Sequence, residues 1–308
     1  MKRVVLFVGG VGGAKLALGM YRVLPPEALT VIVNNGDDFW HYGLRVCPDT
    51  DTLLYTLSGR VDPVNGWGIA GDTTVTLDAL RALGEAPWFN IKDRDIATHL
   101  LRTEMLRRGH TLTQITAHLA QAQGVQCRVL PMSDQFVETR VHTREYGWLD
   151  FQEYFVRYRC QPTVLGLRYD GAEHAVLPPQ VADALGAADV IVFAPSNPWL
   201  SIMPMLHVPG MREAITQSKA PRIAVTPIVE GRAIKGPAAK MMGEMGYEVS
   251  YVPVARFYAD FVTTFVYDKR DAPRHLEAPR LVALDTIMND EASKIRLAQE
   301  VLALGETA

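Results

Sequence analysis

The chain has 308 residues and a mass of 34.1 kDa, enough for one large α/β domain or two modest ones whose core needs no covalent staples. Its three cysteines, Cys47, Cys127 and Cys160, lie far apart and match neither a disulfide framework nor a CxxC metal pattern, so unpaired thiols in a reducing, cytoplasmic setting are expected. A net charge of -3 without a basic run argues against a broad nucleic-acid surface, and the apolar stretch that ends at Gly9 is too short to span a membrane, so a soluble protein is expected.

VVLFV (4–8) is apolar without polar alternation and predicts a buried parallel strand. The glycine-rich GGVGGAK follows, then a helix over 14–24 that Pro25 and Pro26 stop. TVIVN (30–34) is a second such strand, so the opening predicts a βαβ unit. A loop rich in Asp and Gly (35–52) leads into a helix over 51–58, with Asp49, Thr50 or Asp51 available as its cap. After the polar turn NGWGIAGD, helical patterns run over 70–83 and 93–121, the second broken at Arg108-Gly109, with Asp93 or Asp95 available to cap its start.

From about 126 the texture changes to short β-like segments, QCRVLP, FVETRVHT and TVLGLRY, around an aromatic stretch. Residues 131–184 read as an inserted smaller lobe between core segments 1–130 and 185–308. The parallel pattern returns in ADVIVFAP (188–195), RIAVTP (222–227) and YEVSYVP (247–253), and ASKIRLAQEVLALGE predicts an amphipathic terminal helix. The expected fold is α/β, an open, mostly parallel sheet flanked by helices, with the lobe inserted.

Ligands of open α/β sheets sit outside the carboxyl ends of the strands, which here would bring together the loops 9–15, 34–51, 194–199 and 226–236. Gly9, Gly10, Gly12 and Gly13 let the backbone approach a phosphate closely, although the same glycines also serve strand-to-helix packing. The run is not a dinucleotide fingerprint, because Lys15 stands where the third glycine belongs, and it is not a Walker A loop, because Leu16 follows the lysine. Lys15 is either a phosphate contact or a solvated helix lysine. Asp37, Asp38, Asp49 and Asp51 crowd the second loop; carboxylates at this density hold a hard divalent cation, position a hydroxyl, or cap turns and helices. Asp49 and Asp51 are expected to face the glycine turn. His41 has no partner histidine at ligand spacing and reads as packing. Ser196 and Asn197 offer compact donors and acceptors for a phosphate or nucleobase, or an Asx turn.

The segments GGVGGAKL, VNNGDD, CPDTDTLLY, KDRDIATH, VLPMSD, PSNPWLSIMP, PGMRE, IKGPAAKMM and DTIM, in this order over nearly the whole chain, resemble the 2-phospho-L-lactate transferase family of deazaflavin coenzyme F420 biosynthesis. The resemblance implies a Rossmann-like core, Mg²⁺ as cofactor and a homodimer to which the apolar terminal helix could contribute. It also implies transfer of a phospholactyl or phosphoenolpyruvyl group from a guanosine-diphosphate-activated donor to the deazaflavin Fo. The terminal ribityl hydroxyl of Fo attacks phosphorus, GMP leaves and a phosphodiester forms. Asp51, Lys92 and Arg94 would then contact Fo. Gly10, Gly12, Gly13, Lys15, Ser196, Asn197, Thr226 and Gly236 would hold the guanosine and its phosphates. Mg²⁺ would sit on Asp49 or Asp51, with Asp37 and Asp38 as further candidates, and Asp51, with Asp49, would carry the catalysis. Trp40, Trp67, Trp88 and Trp148 could stack on the deazaflavin ring or simply pack. The alternative is a nucleotide-sugar-binding regulatory protein of the gluconeogenesis-factor type, which shares the GG.GG opening but lacks the full PDTDT, DRD and SNP series.

Overall fold

The computed structural model describes residues 2–306. Strand β1 (Val4–Val8) runs into α1 (Gly10–Val23), followed by β2 (Leu29–Val33), the hairpin of β3 (Phe39–His41) and β4 (Leu44–Val46), and α2 (Pro48–Leu57). Three helices come next, α3 (Val75–Ala82), α4 (Asp93–Arg107) and α5 (Leu112–Ala122), then β5 (Arg128–Pro131). Strands β6 (Glu138–Thr143), β7 (Gly147–Asp150) and β8 (Val164–Asp170) precede α6 (Pro179–Gly186) and β9 (Val190–Phe193). After α7 (Met203–Leu206) and α8 (Met211–Gln217) come β10 (Arg222–Val225) and the short hairpin of β11 (Ile228–Val229) and β12 (Arg232–Ala233). The chain closes with α9 (Ala238–Glu244), α10 (Tyr251–Tyr258), β13 (Thr264–Asp268), β14 (Arg280–Leu284) and α11 (Glu291–Leu304).

All five residues of β1 are buried, with Val5 and Phe7 in one apolar layer and Val4, Leu6 and Val8 in another. Burial on both faces explains why the strand shows no polar alternation. The main sheet has the order β14-β13-β10-β9-β1-β2-β5, and every neighbouring pair in it is parallel. The chain moves outward from β1 to β2 and β5, then returns to β9 on the other side of β1. That reversal makes the gap beyond β1 and β9 the switch point at which such sheets bind ligands. Phe7 and Phe193 pair in register there and stack with ring centroids 4.7 Å apart. The inserted lobe is a separate antiparallel sheet, β7-β6-β8. Val141, Leu149 and Val164 of that sheet share a small core with Leu200 and Met241.

Three expectations are corrected. YEVSYVP is not a strand: Ser250 accepts the amide of Val252 at 3.3 Å and starts α10, whose Tyr251, Val254, Ala255 and Tyr258 recur at helical spacing and are buried. The strands on that side of the sheet are the later TFVYD and RLVAL of β13 and β14. QCRVLP supplies β5, an edge of the main sheet paired with β2, and not a strand of the lobe. The carboxylates offered as helix caps also act differently. Pro48 occupies the first turn of α2 and places Asp49 and Asp51 inside the helix. Asp93 accepts the amides of Val75 and Thr76 at the start of α3, while Asp72 accepts those of Arg94 and Asp95 at the start of α4. The two helices cap each other.

The terminal helix α11 begins with a capping box between Asp290 and Ser293 and lies on α1. Its Leu297, Ala298 and Val301 are fully buried there, so the apolar face considered for a partner is occupied within the chain. Among the described residues no helix is long and apolar enough to cross a membrane.

Candidate active site

A cleft of about 530 Å³ opens at the switch point. Its floor is the glycine turn. Gly10 has φ +65°, a left-handed conformation that favours glycine, and its amide donates to Asp49 Oδ1 at 2.7 Å. Gly12 lies so close to the β9 loop that a Cβ there would come within 2.5 Å of the Pro195 carbonyl oxygen. Ser196 ties the two strand exits together, its Oγ accepting from the Gly9 amide at 3.0 Å and donating to the Gly9 carbonyl at 2.8 Å. The first turn of α1 thereby presents glycine amides at a helix N-terminus beside the cleft, a geometry that suits an anion.

The carboxylates are unequal. Asp49 is buried, and burial pushes its pKa up to about 6 against the opposing hydrogen bonds from Asn34 and the Gly10 amide. Asp37 is held well above the usual carboxylate range by burial and by its neighbours Asp49 and Asp38, and its oxygens accept from Asn34 at 3.1 Å and Gln152 at 3.3 Å. Asp38 faces away from the cleft, bound to Arg45 at 3.0 Å and Cys47 Sγ at 2.9 Å. Asp51 lines the cleft, with Oδ1 hydrogen-bonded to the Arg102 guanidinium and Oδ2 buried without a hydrogen-bond partner.

Helix α4 packs on β4 and α5, and its Asp95, His99 and Arg102, at helical spacing, meet Asp51 and Tyr55 of α2. Tyr55, one turn beyond Asp51, donates to Asp95 Oδ1 at 2.6 Å and accepts from the Thr98 hydroxyl at 2.9 Å. Burial, then the charges of Asp51 and Asp95, push the Tyr55 hydroxyl far up, so it stays a donor. His99 Nε2 stands 3.1 Å from Asp95 Oδ2. Asp51, Asp95 and His99 offer ligand atoms within 4.8 Å of one another, a cluster able to hold a divalent cation. The orphaned Asp51 Oδ2 is a donor that a hard cation or an ordered polar group would satisfy.

The lining is also aromatic, with Tyr55, Trp67 and Phe89 from the core and Phe151 and Phe155 from beside the lobe sheet. Two lysines stand at the glycine-turn end. Lys15 donates to the Met288 carbonyl at 2.9 Å, its pKa lowered first by burial and then by Lys235 and Lys294. Lys235 donates to the Asn65 carbonyl and lines the cleft.

Of the residues singled out in the sequence, Gly10, Gly12, Lys15, Asp37, Asp49, Asp51, Ser196, Asn197 and Gly236 line the cleft. Gly13 packs instead, since a Cβ there would meet Ser196 Oγ at 2.9 Å and Val8 Cβ at 3.0 Å. Thr226 turns its hydroxyl back onto the Ile228 carbonyl at 3.0 Å. Lys92 precedes α4, and Arg94 reaches the Ala70 carbonyl at 3.4 Å; neither is in the cleft wall. Among the tryptophans Trp67 is in the wall, whereas Trp88 packs on Phe39 and His41, Trp148 stacks on His142, and Trp40 is exposed. The reading missed the joint role of Asp95, His99 and Arg102, although their spacing of four and three residues on one helix marks a shared face. It also missed Lys235, Ser201 and the aromatic wall.

The family model for 2-phospho-L-lactate transferase CofD matches residues 4–302. A 2-phospho-L-lactate transferase from Methanosarcina mazei is 38% identical over 302 residues, covering 97% of this chain and 99% of that one. A phosphoenolpyruvate transferase from Streptomyces griseus is 39% identical over 313 residues, covering 99% and 98%. Among solved structures, a UPF0052-family protein from Bacillus halodurans superposes with a TM-score of 0.58 at 16% identity, covering 98% of both chains, a likeness of fold alone.

Proposed function

The chain belongs to the 2-phospho-L-lactate transferase CofD family, and on that premise we propose that it transfers a phospholactyl or phosphoenolpyruvyl group from a guanosine-diphosphate-activated donor to the terminal ribityl hydroxyl of Fo. A bond forms between that hydroxyl oxygen and phosphorus, the bond from phosphorus to the GMP oxygen breaks, and F420-0 or its dehydro form results. The observation that carries this reading is the family match over 4–302 together with one cleft that sets the glycine turn across from Asp51.

The donor's phosphates lie at the first turn of α1, where glycine amides and the helix N-terminus meet negative charge and Lys15 and Lys235 neutralise it. Asp51 orients the ribityl hydroxyl and takes its proton as the new bond forms. The leaving phosphate needs little acid help. The deazaflavin ring lies between the Tyr55, Trp67 and Phe89 wall and the lobe's Phe151 and Phe155. By this reading the inserted lobe completes the acceptor site. The substrate phosphates, with Asp49 or Asp95 as further carboxylates of the cleft wall, would hold Mg²⁺, which leaves the orphaned Asp51 Oδ2 to the hydroxyl. When bound, Mg²⁺ would neutralise phosphate charge.

The test is mass spectrometry of the purified protein incubated with Mg²⁺, Fo and each guanosine-activated acid in turn. Equimolar GMP and phosphodiester with one donor establish the activity and name the acid, which relatives of both names at 38% and 39% identity leave to experiment. No product from any donor, together with binding of a uridine-diphosphate sugar, would replace the reading with the regulatory alternative.

A further inference from the structure

We propose that Arg102 and His99 are positioning residues that act on the reaction through Asp51, an inference that rests on the transferase reading above. Arg102 is fully buried on α4, and its guanidinium meets three acceptors: Asp51 Oδ1, the Arg45 carbonyl at 3.2 Å and His99 Nδ1 at 3.1 Å. A guanidinium only donates, so the third contact fixes the tautomer of the neutral ring: His99 Nδ1 accepts, and its proton sits on Nε2, facing Asp95 Oδ2 at 3.1 Å.

Two consequences follow for the carboxylates. Asp95 has Oδ1 hydrogen-bonded by the Tyr55 hydroxyl and Oδ2 covered by the close electrostatic contact of His99 Nε2 at 3.1 Å, a contact too bent to count as a hydrogen bond. Asp51 has one oxygen engaged and one open, because the ring nitrogen facing Oδ2, His99 Nδ1 at 3.6 Å, carries a lone pair and donates nothing. The network thus selects Asp51 Oδ2 as the free carboxylate oxygen among these four and prevents the Asp51 side chain from turning it away. The planar fork of arginine, anchored at three points, does this by geometry. A positive charge alone would not.

Arg102→Lys separates the two possibilities, since it keeps the charge and loses the fork. Turnover is expected to fall about 100-fold, with KM for both substrates and the Fo affinity read by fluorescence within about threefold of the parent, because a small displacement of a reacting group acts on rate more than on binding. His99→Leu, at the edge of the network, is expected to lower turnover about tenfold with the same KM pattern and serves as the second variant should the lysine protein fold poorly. In an Asp51→Asn background neither change should lower the residual turnover further, the non-additivity of residues that work through one carboxylate. Crystal structures give a readout independent of turnover: the Asp51 carboxylate should be rotated in Arg102→Lys. Parent-like turnover in a folded Arg102→Lys protein, full additivity with Asp51→Asn, or an unmoved Asp51 carboxylate would each overturn the proposal. A wild-type protein that makes no product overturns the transferase reading instead, and the rotation of Asp51 still decides the positioning role.

Discussion

At the glycine-turn end of the cleft, the groups facing the space are largely backbone amides and small side chains, fixed by the two central strands from which they emerge. Elsewhere the wall carries aromatic rings from α2, the 60–74 and 83–92 connections and the lobe, and carboxylates from α2 and α4 that are held by the Tyr55 and Arg102 side chains. The first end is rigid because the sheet is rigid. The second is held by a buried charge network with little redundancy, in which Asp51 Oδ2 and His99 Nε2 already lack hydrogen-bond partners, and it is far more sensitive to loss of a single contact. The difference suits the two tasks proposed for the cleft: phosphate contact by many equivalent amides, and selection of one hydroxyl oxygen by a single oriented acid.

The comparison can be broken at its most sensitive point with Asp51→Asn, which keeps size and removes charge. Turnover is expected to fall about 10³-fold with Fo affinity by fluorescence little changed, the signature of a group needed in the transition state. Parent-like turnover would show that the acceptor end is only a binding surface. At the opposite end Gly12→Ala places a Cβ against backbone that cannot rotate away, 2.5 Å from the Pro195 carbonyl oxygen. A stability loss of about 2 kcal/mol in urea unfolding is expected, together with weaker GDP binding by calorimetry and unchanged Fo affinity. Trp67→Ala should do the reverse, weakening Fo about tenfold and leaving GDP untouched, as loss of one stacking ring does. Equal effects on both ligands would dissolve the division.

The smallest effect is a pH dependence that sharpens it. Asp49 bridges the two ends, and its pKa is pushed to about 6 by burial. If catalysis needs it ionised, kcat/KM rises from pH 5 toward neutrality with a midpoint near 6, and Asp49→Asn loses that limb. The stability sign is opposite to that of a salt-bridged acid. Between its ordinary 3.8 and about 6 the native state holds the proton more tightly than the unfolded chain, so the contribution of Asp49 to stability declines as pH rises through this window. Urea curves of wild type and Asp49→Asn across that range should converge toward the acid side.

The two ends were also unequally legible in the sequence. Strand-exit chemistry is local: a buried apolar run followed by glycines or by Ser196-Asn197 marks both the strand and the place where its loop opens, and Asp49 and Asp51 follow β2 within one loop and helix start. The central strands β1, β2, β9 and β10 were readable for the same reason. Strands β13 and β14 were not, because TFVYD and RLVAL carry no glycine signature, whereas YEVSYVP alternates like a strand yet starts a helix at Ser250. Arg102, His99 and Asp95 reach the site only because α4 packs on β4 and α5, and the aromatic lining needs the lobe to fold against the core. Such contacts are set by tertiary packing and leave no contiguous pattern. Asp93 and Asp72, which cap each other's helices across twenty-one residues of sequence, show how an N-terminal acid can serve a neighbouring helix and mislead a local reading.

The most direct measurement of this division is a crystal structure with Fo and GDP bound together. The account expects the diphosphate at the first turn of α1, within reach of the glycine amides and Lys15, and the deazaflavin ring between Trp67 and the lobe's Phe151 and Phe155 with its ribityl end toward Asp51. A diphosphate seated on Asp51 and α4, or a deazaflavin ring bound outside the aromatic wall, would contradict it.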